Sequence, residues 1–241
     1  MEALACSKVS ELRRGVVYCE DYSWRVEVFA DRAEAGRALA GFLKQASGYF
    51  EDSLVVALAA GGVPVAFYVA EELGLDLDVV VVKKITFPWT TEAGFGAVDL
   101  DGSVELEERA LPLAGYTPRE LEEKIRRLVA HVRERTLKLR GSLDYSGVRD
   151  RRVILVDDGI ATGYTARVAA AFLRRHGASS VTLAAPTASL EGAIIASERA
   201  DETFVLNLRA GPYYAVADAY REWHDVSDEE ALEYLSRRRK K

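Results

Sequence analysis

The sequence predicts an α/β fold: a mainly parallel sheet of about five strands with helices on both faces. Three observations carry that expectation. First, short apolar runs at residues 54–59, 78–82, 153–156, 181–185 and 203–206 are rich in β-branched side chains and do not alternate, as strands buried on both faces require. Second, helical patterns at residues 63–73, 163–176 and 190–197 follow the first, third and fourth of these runs, and strand–helix repetition makes neighbouring strands parallel. Third, capping boxes mark helix starts at Asp31-x-x-Glu34, at Thr117-x-x-Glu120 with Pro118 in the first helical position, and at Ser227-x-x-Glu230.

Taken in order along the 241 residues, residues 29–206 are expected to form one core. Residues 1–28 and 207–241 fall outside the strand pattern and are expected to pack together as a small hood. The helix opened by Asp31 runs to about residue 46, and the one opened by Thr117 to about residue 139. Between them, residues 86–106 (TFPWTTEAGFGAVDLDGSVEL) break the rhythm and read as a loop, then a hairpin with Asp101 and Gly102 at its turn. An excursion of this length, reaching residue 110, points to a functional or mobile segment.

Composition narrows the class. Hydrophobic residues at 49% and charged residues at 29% are those of an ordinary soluble domain. A net charge of −6 disfavours broad binding to nucleic-acid backbones. The basic end, residues 237–241, reads as a solvated helix end. Cys6 and Cys19 have no CxxC partner and no nearby His, so neither a disulfide staple nor a metal site is expected, and a cytoplasmic location fits. No apolar run reaches 18 residues and the start is too charged for a signal peptide. His131, His176 and His224 show no ligand spacing, and Trp24, Trp89 and Trp223 read as core or interface residues.

The chemistry concentrates at residues 153–165, VILVDDGIATGYT. Four apolar residues make a central strand, two carboxylates sit where it leaves the sheet, and a Gly- and Thr-rich turn opens a helix. At that place backbone N–H groups and a helix N-terminus favour an anion. Small residues let the backbone close on a phosphate, and Thr162 and Thr165 add hydroxyl donors. Asp157 and Asp158 would repel a phosphate. They make sense as acceptors for hydroxyls adjoining one, as on a ribose.

This run resembles the phosphoribosyl pyrophosphate signature of type I phosphoribosyltransferases at all thirteen positions, most closely a prokaryotic branch that includes archaeal purine enzymes. The resemblance implies that Asp157 and Asp158 hold the ribose hydroxyls and that Ala161, Thr162, Gly163, Tyr164 and Thr165 cradle the 5′-phosphate. Ala60, Gly61 and Gly62 stand where the family touches pyrophosphate through its backbone, although members often carry a basic residue where this chain has Ala60. Lys83 and Lys84 follow the second strand, where a basic residue contacts pyrophosphate, and residues 86–106 fall where members carry a loop that closes over the site. Mg²⁺ would ride on the substrate's diphosphate and ribose oxygens, with no metal cage built from the protein. Tyr213 and Tyr214, in Gly211-Pro212-Tyr213-Tyr214, would wall the base under the hood. A homodimer or higher homo-oligomer is implied as well.

The resemblance also implies the reaction: a base and phosphoribosyl pyrophosphate give a nucleoside 5′-monophosphate and pyrophosphate. A purine is expected, with adenine favoured. Enzymes for 6-oxopurines place a lysine soon after the strand that follows the signature helix, and this chain has Pro186-Thr187-Ala188-Ser189 there, with Arg209 as the one cationic candidate from the hood. The rivals are a pyrimidine base in the same reaction, a nucleotide- or phosphoribosyl-pyrophosphate-sensing regulator of the same fold, and a phosphoribosyl pyrophosphate synthetase. Acidic charge weighs against a transcriptional regulator, and a synthetase needs two such domains.

Overall fold

The structure, a computed structural model, describes residues 6–12, 15–46, 50–90, 93–211 and 213–239. The chain opens with β1 (Val9–Leu12) and β2 (Val16–Cys19), then α1 (Arg32–Ala46), β3 (Leu54–Leu58), α2 (Gly62–Leu73) and β4 (Asp76–Val80). An excursion follows: β5 (Lys83–Thr86), β6 (Gly94–Val98), β7 (Val104–Leu106) and the single turn α3 (Leu111–Ala114). The remainder is α4 (Pro118–Arg140), β8 (Arg152–Val156), α5 (Tyr164–Arg175), β9 (Ser180–Ser189), α6 (Leu190–Ser197), β10 (Glu202–Arg209) and α7 (Asp228–Arg239).

The main sheet has seven strands in the order β1-β2-β10-β9-β8-β3-β4. The five consecutive strands from β10 to the β4 edge are those read from the sequence, and all are parallel. Two strands are not legible in sequence. β2 adds in parallel to the edge of β10, and β1 pairs antiparallel to β2. β10 also reaches Arg209, past the expected end at residue 206. The continuous apolar runs follow from covering on both sides: α1, α2 and α7 share one core with the sheet, and α5 and α6 share the other.

The expected helix starts are present. Asp31 Oδ1 accepts from the Glu34 N–H at 2.7 Å, and the box of Thr117 and Glu120 is closed from both sides. At the third, Ser227 Oγ accepts from the Glu230 N–H, while the Glu230 carboxylate turns to His224 instead.

The excursion is more structured than the sequence suggests. β5, β6 and β7 make a separate antiparallel sheet with Asp101 and Gly102 at the β6–β7 turn. Ile85, Phe95 and Val98 are fully buried there against Leu121, Ile125 and Leu128 of α4. Asp99 is buried too and pairs with Arg175 of α5. Outside these elements the excursion keeps the β5–β6 connection and the turns at 99–103 and 107–110; Thr91 and Glu92 lie outside the described residues, as do Pro212, Lys240 and Lys241.

The chain ends meet along β10. Trp24 N–H bonds the Leu208 carbonyl, Glu27 and Phe29 N–H bond the carbonyls of Asp218 and Ala219, and Phe29 bridges to Tyr220. α7 packs elsewhere, on α2, α4 and β4.

Cys6 and Cys19 form a disulfide, against the expectation from spacing. The β1–β2 hairpin folds the chain back and brings the two buried sulfurs together. They cluster with Asp21, but bonded sulfurs are not thiolate ligands. The bridge closes a loop of 13 residues' separation. Opening it is expected to cost about 3 kcal/mol through the entropy of the unfolded chain. Urea unfolding of Cys6→Ser/Cys19→Ser against the oxidised protein checks this, and equal midpoints would refute it. No helix among the described residues is long and apolar enough to cross a membrane.

Candidate active site

Parallel order places the carboxyl ends of β3, β4, β8, β9 and β10 along one edge, where an open α/β sheet binds ligands. β8 ends at Val156, and Asp157 and Asp158 follow it off the sheet. The turn stays laced to β9: Asp157 N–H bonds the Ala184 carbonyl at 3.2 Å, and Ile160 N–H the Thr187 carbonyl at 3.0 Å. Gly163 then adopts φ +83° and caps α5, so the α5 N-terminus faces the turn. Ala161 and Thr162 are exposed, Gly163 and Tyr164 are buried, and Thr165 is half-buried.

The glycines are where chain meets chain. A Cβ on Gly62 would stand 2.7 Å from the Val156 carbonyl oxygen and 2.9 Å from Asp157 Cα. A Cβ on Gly61 would collide with the Asp158 carboxylate. The loop at Ala60, Gly61 and Gly62, entered through a cis Ala59–Ala60 peptide, therefore lies directly against the acid pair. On the other side a Cβ on Gly192 would sit 2.1 Å from the Ala161 carbonyl oxygen, which accepts from Ser189 Oγ at 2.6 Å. The start of α6 thus clamps the phosphate-type turn from behind.

The two acids are not equivalent. Asp158 is paired with Arg32, the first residue of α1: Nε and Nη2 both reach Oδ2 at 2.9 Å. Arg32 is only 6% exposed, lies 3.9 Å over the Trp223 ring, and donates from Nη1 to the His224 carbonyl. Tyr220 hydroxyl donates to the Asp158 carbonyl at 2.6 Å. Asp157 Oδ1 accepts the Asp158 N–H. Burial, and after it the Asp158 charge, pushes the Asp157 carboxyl well above the usual carboxylate range. Burial raises Asp158 as well, opposed by the Arg32 guanidinium. In sequence, Arg32 reads as an ordinary helix residue. Its legible signal is position: it stands three, four and seven residues before buried Ala35, Gly36 and Leu39, on the inner face of α1.

Beside the turn lies a cleft of about 650 Å³ whose walls include Ala161, Thr162, Leu190, Ile194, Arg209 and Tyr214. Tyr214 and Tyr213 part here: Tyr214 lines the cleft, whereas Tyr213 is 88% exposed and forms no part of its wall. Arg209 donates to Asp218 Oδ2 at 3.1 Å and lies over the Tyr214 ring. Lys83 and Lys84 do not leave the main sheet freely. They start β5, paired with Val98 and Ala97, and the Lys84 stem lies over Gly94. Neither lines the cleft.

A parallel sheet with a strand that ends in paired acids, a glycine-clamped turn and a helix N-terminus defines an open α/β protein whose strand-end turn is suited to an anion. The family described as "Phosphoribosyl transferase domain" matches residues 27–208, and the chain belongs to it. Two curated relatives, from the CDC 1551 and H37Rv strains of Mycobacterium tuberculosis, each bear the name "Putative phosphoribosyl transferase". Each is 36% identical over 212 residues, 88% of this chain, and the chain spans about half (47%) of their length. A crystal structure of a Thermus thermophilus protein is 34% identical, with a TM-score of 0.70 over 87% of this chain and 98% of that one. A purine phosphoribosyltransferase from Pyrococcus horikoshii Ot3 is more distant, at 17% identity and a TM-score of 0.41 over 77% of this chain and 93% of that one.

Proposed function

We propose that the protein transfers 5-phosphoribose from phosphoribosyl pyrophosphate to a purine base, with adenine favoured, releasing pyrophosphate. The observation that carries this is the acid pair Asp157–Asp158, held against Gly61 and Gly62 on one side and the turn at residues 161–165 on the other. In the reaction the bond from ribose C1 to the diphosphate oxygen breaks, a bond from C1 to a base nitrogen forms, and that nitrogen loses its proton. Asp157 and Asp158 accept the ribose hydroxyls and place negative charge under the developing oxocarbenium. N–H and hydroxyl groups of Ala161, Thr162, Gly163, Tyr164 and Thr165 hold the 5′-phosphate. Backbone at Ala60, Gly61 and Gly62 faces the diphosphate, and Lys83 and Lys84 are assigned to its charge by the family resemblance. The protein's contribution is chiefly positioning and charge stabilisation.

Mg²⁺ would ride on the substrate's diphosphate and ribose oxygens, beside the carboxylates of Asp157 and Asp158 that accept the ribose hydroxyls, and would neutralise leaving-group charge. Tyr214 walls the base, and residues 86–106 are the segment assigned to close over it. The hood built from the chain ends, a homo-oligomeric assembly and a cytoplasmic setting belong to the same reading. A disulfide in that setting is uncommon outside hyperthermophiles.

Support for adenine is the absence of a lysine at residues 186–189. A panel of free bases with phosphoribosyl pyrophosphate and Mg²⁺, followed by pyrophosphate release, tests the reading. Adenine is expected to give the highest kcat/KM. Uracil or orotate above every purine would shift the reading to a pyrimidine enzyme, and tight ligand binding with no turnover to a sensor.

A further inference from the structure

A chain of buried hydroxyl and amide groups runs behind the cleft wall. Asn207, fully buried on β10, donates from Nδ2 to the carbonyls of Tyr22 and Arg25, the second at 3.1 Å. Two carbonyls can only accept, so they fix the amide with Nδ2 toward the hood and Oδ1 toward β9. Oδ1 accepts from Thr187 Oγ1 at 2.7 Å. Thr187 is also fully buried, and its one proton is spent on that bond. Tyr214 hydroxyl lies 3.2 Å from the same Thr187 oxygen. With the Thr187 proton turned away, only Tyr214 can donate across that contact. Burial keeps the phenol protonated, pushing its pKa up, so it has one proton and that proton points at Thr187.

The Tyr214 oxygen is left with lone pairs alone for anything in the cleft. Arg209, the neighbouring wall residue, has donors alone. We infer that Tyr214 is a specificity-determining residue that accepts a hydrogen bond from an N–H donor on the bound base, its direction set by Thr187 and Asn207. The inference rests on the cleft being the base site of the proposed transferase. A 6-amino group beside a ring nitrogen matches an acceptor beside a donor. A 6-oxo group set against the Tyr214 oxygen would oppose two acceptors, and buried unpaired groups discriminate strongly.

The test compares AMP with IMP by isothermal titration on the full chain. Wild type is expected to bind AMP at least tenfold tighter. Tyr214→Phe removes the acceptor and is expected to bring the two within threefold. Thr187→Val is near-isosteric and frees the Tyr214 proton to donate, so the preference is expected to fall through stronger IMP binding, an effect that loss of packing alone would not give. Circular dichroism checks that each variant is folded. IMP bound as well as AMP by wild type, an unchanged ratio in Tyr214→Phe, or no binding of either nucleotide would each overturn the inference. Transfer to a pyrimidine with no AMP binding would sink it and leave the reaction standing. No pyrophosphate release with any base would sink the reaction, while the AMP-to-IMP ratio still decides the role of Tyr214.

Discussion

Asp157→Asn is expected to lower kcat/KM by at least about tenfold, roughly 1.4 kcal/mol of transition-state stabilisation, while making the protein more stable at pH 7. The two effects share one cause. The Asp157 carboxyl is raised well above the ordinary range, first by burial and then by Asp158. A raised acid binds its proton in the folded state at pH values where the unfolded chain has already lost it. Stability attached to this group is therefore full below the ordinary carboxylate pKa and is lost as pH rises through the folded value. At neutral pH the ionised carboxylate is a cost the fold carries. Asparagine keeps an oxygen for the Asp158 N–H and removes the charge. Thermal melts at pH 4 and pH 7 read the sign: wild type loses stability across that interval more steeply than Asp157→Asn. A variant with wild-type turnover, or one less stable than wild type at pH 7, would remove the assigned role.

The parts of this fold that are legible in sequence share a property: their signal is local. Strand runs such as 153–156 need only be apolar, and the caps at Asp31, Thr117 and Ser227 act within a turn. The signature at 157–165 is legible because phosphate-type turns are built from consecutive residues. What sequence reasoning misses is long-range. Arg32 and Asp158 are 126 residues apart, and only the closed sheet edge brings them together. β1 and β2 are only four residues each, and they become strands because β10 offers an open edge to β2, which in turn pairs β1. The disulfide follows from that hairpin, so its spacing carries no signal. Lys83 and Lys84 read as cations leaving the second strand for a pyrophosphate, because the second sheet that they open, with its own core under α4, has too few residues for a periodic pattern. Tyr213 and Tyr214 are indistinguishable in sequence, and burial separates them.

Asp158→Ala and Arg32→Ala are each expected to destabilise the protein by about 3–5 kcal/mol, the range for removing one partner of a buried ion pair. The side chains are 12% and 6% exposed, so water cannot replace the lost partner. Arg32→Ala leaves two carboxylates together at the end of β8 with no opposing guanidinium, whereas Asp158→Ala leaves a guanidinium between Trp223 and the His224 carbonyl. The double variant removes both charges and is expected to cost less than the sum of the singles by about 1–3 kcal/mol, the coupling typical of contacting residues. Arg32→Lys should recover part of the loss through its charge, but a lysine ammonium has no planar face to stack on Trp223 and no rigid fork to donate to Asp158 and the His224 carbonyl together. Urea unfolding of the four variants at pH 7 measures all of this. The contrast with the neighbouring acid is the sharpest part: neutralising Asp157 stabilises and neutralising Asp158 destabilises, although the residues are adjacent, because only Asp158 has a buried cation to satisfy. Losses under about 1 kcal/mol, or strict additivity in the double variant, would show that the pair is solvated and that Arg32 does not hold the acid pair in place.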